Sequence, residues 1–155
     1  MKTYSVEIIL NGESKKVDVA AHETLLDVLR NKLGAIEVKN GCGKGDCGSC
    51  AVLLDGKAVN SCLTLAIQAH KKEVITIKGI GNEEKPHALQ ESFVKYGAIQ
   101  CGFCTSGMIV SAKALLDHTQ SPSRQEIREV ISGNLCRCTG YKKIIDAIHK
   151  TALQK

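Results

Sequence analysis

Tryptophan is absent from this 155-residue chain, and its aromatic residues together make up only 3% of the total. Its cores must therefore be aliphatic. The aromatic platforms on which single-stranded nucleic acid stacks are missing, so nucleic-acid binding is not expected. Long hydrophobic runs are missing too. The opening stretch, MKTYSVEIILNGESKK, holds an apolar run of only Ile8 to Leu10 and no small-residue cleavage site, which argues against a secretory leader. No segment approaches the apolar length of a membrane span. The expected location is the cytoplasm, where thiols stay reduced. None of the histidines, His22, His70, His87, His118 and His149, forms a Cys-x-His pair, which argues against a Rieske-type site and leaves them as surface or capping residues. Internal repeats and low-complexity tracts are also absent.

What the chain does have is cysteine. Eight fall in two sets of four, Cys42, Cys47, Cys50 and Cys62, then Cys101, Cys104, Cys136 and Cys138, separated by a long cysteine-free stretch. In a reducing compartment that pattern points to metal before disulfides. Two four-thiolate sites are the simplest reading.

The hydrophobic period divides the chain the same way. Tyr4 to Leu10 and Ser14 to Val19 alternate around Asn11-Gly12, a pair suited to a type I′ hairpin turn. Thr24 and Asp27 form a capping-box pattern ahead of a helical stripe, Leu25, Leu26, Val28, Leu29 and Leu33, closed by Gly34. Ala51 to Leu54 and Lys57 to Ser61 flank Asp55-Gly56 as a second hairpin, and Val74 to Ile77 reads as one more strand. After a loop over Gly79 to Pro86 the period becomes helical at Ala88 to Tyr96, Met108 to His118, Arg124 to Ile131 and Tyr141 to Leu153, with Ser121-Pro122 opening the third. The expected fold is α+β: a mixed-sheet module over residues 1–79, then a small all-helical module over 80–155.

The first cysteine loop, GCGKGDCGSC, discriminates between metals. Four thiolates around one zinc ion and around an oxidised 2Fe-2S cluster both sum to a dianion, so the difference lies in the size of what is enclosed. Structural zinc usually sits between C-x₂-C knuckles. The order C-x₄-C-x₂-C with a later cysteine is the plant-type ferredoxin spacing. Gly41, Gly43, Gly45 and Gly48 let the chain curl tightly and aim N–H groups at sulfur. The second set, C-x₂-C with C-x-C, is by spacing alone also compatible with zinc. Each of its pairs precedes a predicted helix, where the dipole and free N–H groups favour negative charge. Two dianionic clusters would bring the formal charge of +5 to about +1. Lys44, Arg137, Lys142 and Lys143 near the ligands read as solvated side chains, with tuning of potential or docking of partners the alternative.

The stretches NGCGKGDCGSCAVLLDG, AIQCGFCTSGM and SGNLCRCTGYKKI, in this order, resemble the iron–sulfur subunit of the xanthine dehydrogenase family of molybdenum hydroxylases. The resemblance covers essentially the whole chain and all eight cysteines. One departure is Ser106, where relatives commonly carry Pro; Ser is also tolerated at a first helical position. The resemblance implies a β-grasp ferredoxin domain followed by a four-helix 2Fe-2S domain. It also implies that Cys42, Cys47, Cys50 and Cys62 bind a cluster distal to molybdenum, and Cys101, Cys104, Cys136 and Cys138 a proximal one. Electrons would pass from a molybdopterin cofactor on a large subunit, through both clusters, to FAD on a medium subunit, in a dimer of heterotrimers. Gln100 would contact the pterin; without the resemblance it is an ordinary polar residue at a helix end. The substrate would be chosen by the molybdenum subunit, with an N-heterocycle such as xanthine the leading expectation and aldehyde, nicotinate-like compounds and carbon monoxide the alternatives. A stand-alone ferredoxin is the other reading, and the attached second module argues against it.

Overall fold

The structure, a computed structural model, describes residues 2–154; Met1 and Lys155, the outer ends of the two expected modules, lie outside the described residues. Strands β1 (Thr3–Leu10) and β2 (Glu13–Ala20) form an antiparallel hairpin. Asn11 and Gly12 between them take φ of 51° and 86°, the two positive values a type I′ turn demands. Val6, Ile8 and Leu10 then fall on one buried face, as period-two alternation requires.

The capping box closes in both directions: Asp27 N–H donates to Thr24 Oγ1 at 3.1 Å, and Thr24 N–H donates to the Asp27 carboxylate at 3.3 Å. Helix α1 (Leu25–Asp27) then widens into a π-helical turn over Val28–Lys32, closed by Leu33 N–H onto the Val28 carbonyl. Gly34, at φ +69°, ends it. The second hairpin joins β3 (Ala51–Leu54) to β4 (Lys57–Asn60) through Asp55 and Gly56, both at positive φ. After a 3₁₀ turn at Ala66–Ala69 comes β5 (Glu73–Ile75), completing a sheet ordered β2-β1-β5-β3-β4. The sheet, with β1 parallel to β5 at its centre, grips α1 over a core of Val6, Ile8, Leu25, Leu29, Val52 and Val74. This is a β-grasp domain.

Two sequence expectations are corrected in detail. The last strand stops at Ile75, because the Thr76 hydroxyl accepts from Lys78 N–H and caps helix α2 (Ile77–Ile80), so the expected loop from Gly79 begins inside a helix. The third long helix spans Arg124–Ile131 as expected, but its start signal is Ser123, whose side chain forms a capping box with Glu126, and not Ser121-Pro122.

Helices α3 (Ala88–Lys95), α4 (Thr105–His118), α5 (Arg124–Ile131) and α6 (Lys142–Ala152) enclose a separate aliphatic core of Leu89, Met108, Ile127, Ile131, Ile144 and Ile148, to which Phe93 adds one ring. Strand β3 is buried on both faces. Val52 points into the β-grasp core, while Ala51 and Leu53 pack on Val110 of α4. That two-sided burial explains why Ala51 to Leu54 reads as an unbroken apolar run.

Beside this seam the backbones touch. A Cβ built on Gly107 of α4 would collide with the Gly48 carbonyl and lie 3.1 Å from Ser49 Cα, both of them backbone atoms, whereas one on Gly133 would meet nothing within 4 Å. Gly107→Ala is therefore expected to destabilise the protein by about 1–3 kcal/mol through overpacking. Gly133→Ala is expected to be close to neutral, and urea denaturation of the two variants checks the difference.

Candidate metal centres

Loop 41–50 leads into β3, and its glycines give it its curvature. Gly43, Gly45 and Gly48 have φ of +66°, +90° and +66°. At Gly41 the constraint is space, since a Cβ there would lie 2.7 Å from Cys47 Sγ. The amides of Lys44, Cys47 and Asp46 all donate toward Cys42 Sγ, that of Lys44 at 3.5 Å. These donors, Lys44 first, lower the Cys42 thiol to about 6. Cys62, returning from the end of the β3–β4 hairpin, is buried beside Cys50, and burial, then the Cys50 partner, pushes it up to about 11.

The second quartet gathers between the helices. Cys104 caps α4 and Cys136 lies on the loop leading to α6; both are half-buried, while Cys101 and Cys138 are exposed. Burial pushes Cys104 up to about 12. Cys136 loses solvent too, but the Thr139 hydroxyl at 3.1 Å and the Thr139 N–H at 3.4 Å outweigh that and lower it.

The sulfurs meet in pairs. All eight are free thiols; Cys42 is hydrogen-bonded with Cys47 and Cys62 with Cys50, and the charge of Cys42 acts on Cys62, which links the pairs into one quartet. Likewise the Cys104 thiol is hydrogen-bonded with Cys136 and the Cys138 thiol with Cys101, and the charge of Cys101 acts on Cys104 and that of Cys136 on Cys138. A single zinc needs four donors at about 2.3 Å from one centre. Two pairs of thiols, with N–H donors aimed at sulfur, suit a two-iron cluster in which each iron takes two thiolates. The donor sets therefore fit 2Fe-2S clusters, and the second quartet, ambiguous by spacing, has the same two-by-two form as the first.

The 2Fe-2S iron-sulfur cluster binding domain model matches residues 8–75, and the 2Fe-2S binding domain model matches residues 76–149. The small FeS subunit of nicotinate dehydrogenase from Eubacterium barkeri is 45% identical over 148 residues, covering 96% of this chain and 94% of that one. This chain belongs to the iron–sulfur subunits of the molybdenum hydroxylase family. In that family it carries two 2Fe-2S clusters and transfers electrons. The crystal structure of quinoline 2-oxidoreductase from Pseudomonas putida 86 superposes with a TM-score of 0.93 at 46% identity, covering 99% of this chain and 94% of that one. The aldehyde oxidoreductase of Desulfovibrio desulfuricans superposes at 0.94 with 45% identity, the match spanning 97% of this chain but 17% of that longer one.

Other expected residues fall as follows. Gln100 is exposed in a bend well past the end of α3 and is not at a helix end. Ser106 stands second, not first, in α4, and its buried Oγ has no hydrogen-bond partner, a position that costs a hydroxyl more than tolerance at a first helical residue implies. Lys44 and Lys142 are occupied in ion pairs with Asp46 and Asp146. His87 caps α3 and His70 accepts from Glu7 N–H, while His149 is half-buried with its Nδ1 buried and without a hydrogen-bond partner. Sequence reasoning missed Asn134, Thr139 and Tyr141, which hold the Cys136 turn. Thr139 carries a legible signal, a hydroxyl three residues after a ligand candidate in a turn. Asn134 carries none, because its partner, the Gly48 carbonyl, is 86 residues away.

In metal-free folded protein the thiols are expected to react unequally. At neutral pH Cys42, lowered to about 6, is mostly thiolate and alkylates fast, while Cys104, pushed up to about 12, stays protonated and inert. Cys42 labelling by iodoacetamide should fall as pH drops through about 6, and peptide mapping by mass spectrometry reads both sites.

Proposed function

We propose that this chain relays electrons from a molybdopterin hydroxylase centre on a large partner subunit to FAD on a medium partner subunit, and that the holoenzyme oxidises an aromatic N-heterocycle. The observation that carries the relay is the presence of two thiol quartets, one per module, joined by a 2.9 Å hydrogen bond from Leu135 N–H to the Cys47 carbonyl. Cys42, Cys47, Cys50 and Cys62 hold the distal cluster, and Cys101, Cys104, Cys136 and Cys138 the proximal one. When bound, each cluster takes up and passes on one electron.

The chain's own residues do the rest. Gly43, Gly45 and Gly48 bend the distal loop so that its amides, not side chains, face sulfur. Donors of that kind stabilise the extra negative charge of the reduced state and so set its potential. Aliphatic walls from both cores keep water from the inner thiols, Cys50 and Cys62 above all. Two apolar surface patches suit two docking partners. Ile99, Phe103 and Leu135 are exposed near Cys101 and Cys138 in the chain, and Gln100, exposed between Ile99 and Cys101, is the residue we assign to the pterin contact. Leu63, Leu65 and Ile67 are exposed beyond Cys62. Among the described residues no helix is long and apolar enough to cross a membrane. A cytoplasmic dimer of heterotrimers completes the reading.

Nicotinate dehydrogenase and quinoline 2-oxidoreductase, both named for nitrogen heterocycles, support the substrate class. Purification through a tag on this chain is expected to bring down a molybdenum chain and a flavin chain. The complex should reduce an artificial acceptor with nicotinate, quinoline or xanthine; turnover of benzaldehyde alone would contradict the substrate class. Cys62→Ser should lower iron and sulfide from about four each to about two each per chain and remove one of two EPR signals. Loss of both signals in a folded variant would contradict independent sites.

A further inference from the structure

A cleft of about 410 Å³ lies between β4, an edge strand of the sheet, and the helical module. The ladder fixes which backbone groups that edge offers. Asp55 N–H donates to the Glu73 carbonyl on β5, so Val52 and Leu54, of the opposite parity, exchange their hydrogen bonds with Val59 and Lys57. Alternation then turns the N–H and C=O of Ala58 and the N–H of Asn60 away from β3. Leu63 N–H occupies the Asn60 carbonyl at 3.0 Å, whereas both Ala58 groups are open. The side chains of Ala58 and Asn60 share a sheet face with their cross-strand partners Leu53 and Ala51, the face that packs on α4.

Across the cleft stand Ser111, Ala114 and Leu115 of α4 and Val130 of α5. The gap exists because Ala51, Ala58 and Ala114 each offer only a methyl group. Ser111 is 7% exposed, yet its hydroxyl has no hydrogen-bond partner in the chain. A hydroxyl withdrawn from water without a partner is costly, and its place in the cleft lining gives it one to find. Among the described residues no Asp, Glu, Lys, Arg or Cys lines the cleft.

These features define a ligand. A lining without carboxylate, ammonium or guanidinium suits a neutral molecule, and a mostly apolar space of this size suits one or two rings. The donor and acceptor of Ala58 call for an acceptor and a donor side by side. We propose that the cleft binds a small neutral cyclic amide, whose N–H donates to the Ala58 carbonyl and whose C=O accepts from the Ala58 N–H, with the Ser111 hydroxyl as third partner. The ring makes the exchange that an added strand would make at the same edge. Ala58 belongs to the first module and Ser111 to the second, so a bound ring bridges the two and stabilises the folded chain. None of the thiols takes part, and the inference stands apart from the relay.

The test is calorimetric titration of the full chain, purified with its clusters, with isoquinolone, a two-ring cyclic amide. One molecule is expected to bind per chain and to raise Tm. N-Methylisoquinolone, which lacks the N–H, should bind about tenfold more weakly or worse. Ser111→Ala should weaken binding several-fold. Ala58→Pro deletes an N–H that no ladder bond uses, a change an edge strand tolerates, and should abolish the binding and the rise in Tm. No binding of isoquinolone up to its solubility overturns the proposal. So does equal binding of the methylated ring, or unchanged binding in either variant. If Ala58→Pro does not fold, Ser111→Ala and the methylated ring decide. A chain that binds isoquinolone but loads no cluster would sink the functional reading and leave this one in place.

Discussion

The close approach of the Gly48 turn to the first turn of α4 sets the distance between the two thiol quartets, and most of the structure follows from it. Gly107 permits the contact by having no side chain, and Asn134 seals it with a buried hydrogen bond to the Gly48 carbonyl. Neither backbone could come so near with a Cβ between them. Loop 41–50 is thereby fixed from both sides, by β3 on which it ends and by the helical module against which it leans. A site that exchanges single electrons needs little movement between its states, and a loop pinned at both faces supplies that rigidity.

Around this contact the chain builds two aliphatic cores and one seam. Each core is made almost wholly of Ile, Leu, Val and Ala, with Phe93 the one fully buried ring among the described residues. The seam of Ala51, Leu53 and Val110 is small, but it continues directly into the two cores through β3 and α4. Modules joined this way are expected to hold one relative orientation, which a relay between fixed centres requires. Some of the exposed apolar residues lie outside the cores and close in sequence to thiols, Leu63, Leu65 and Ile67 after Cys62 and Ile99, Phe103 and Leu135 near Cys101 and Cys138.

Much of this was readable in the sequence wherever the signal is local. Asn11-Gly12 and Asp55-Gly56 dictate their turns by φ alone, and Thr24 with Asp27 announces its helix by reciprocal caps. The cysteine spacing separated the quartets and suggested iron over zinc for the first. Less legible were features whose partners are distant or whose local preference is weak. The π-helical turn at Val28–Lys32 looks like ordinary helix by period, and α2 is only four residues long behind a threonine cap. The double use of β3 requires knowing that α4 returns to it. Tyr141 in the left-handed region contradicts its own propensity and is intelligible only once the Cys136 turn is in place.

The central claim is that each module holds its own 2Fe-2S cluster. The most direct measurement is low-temperature EPR of the dithionite-reduced protein, with iron, acid-labile sulfide and zinc quantified in the same sample. The account predicts two distinct signals with about four iron and four sulfide per chain and no stoichiometric zinc. A single signal accompanied by zinc would confine electron transfer to one module, and zinc with no signal would contradict the account altogether.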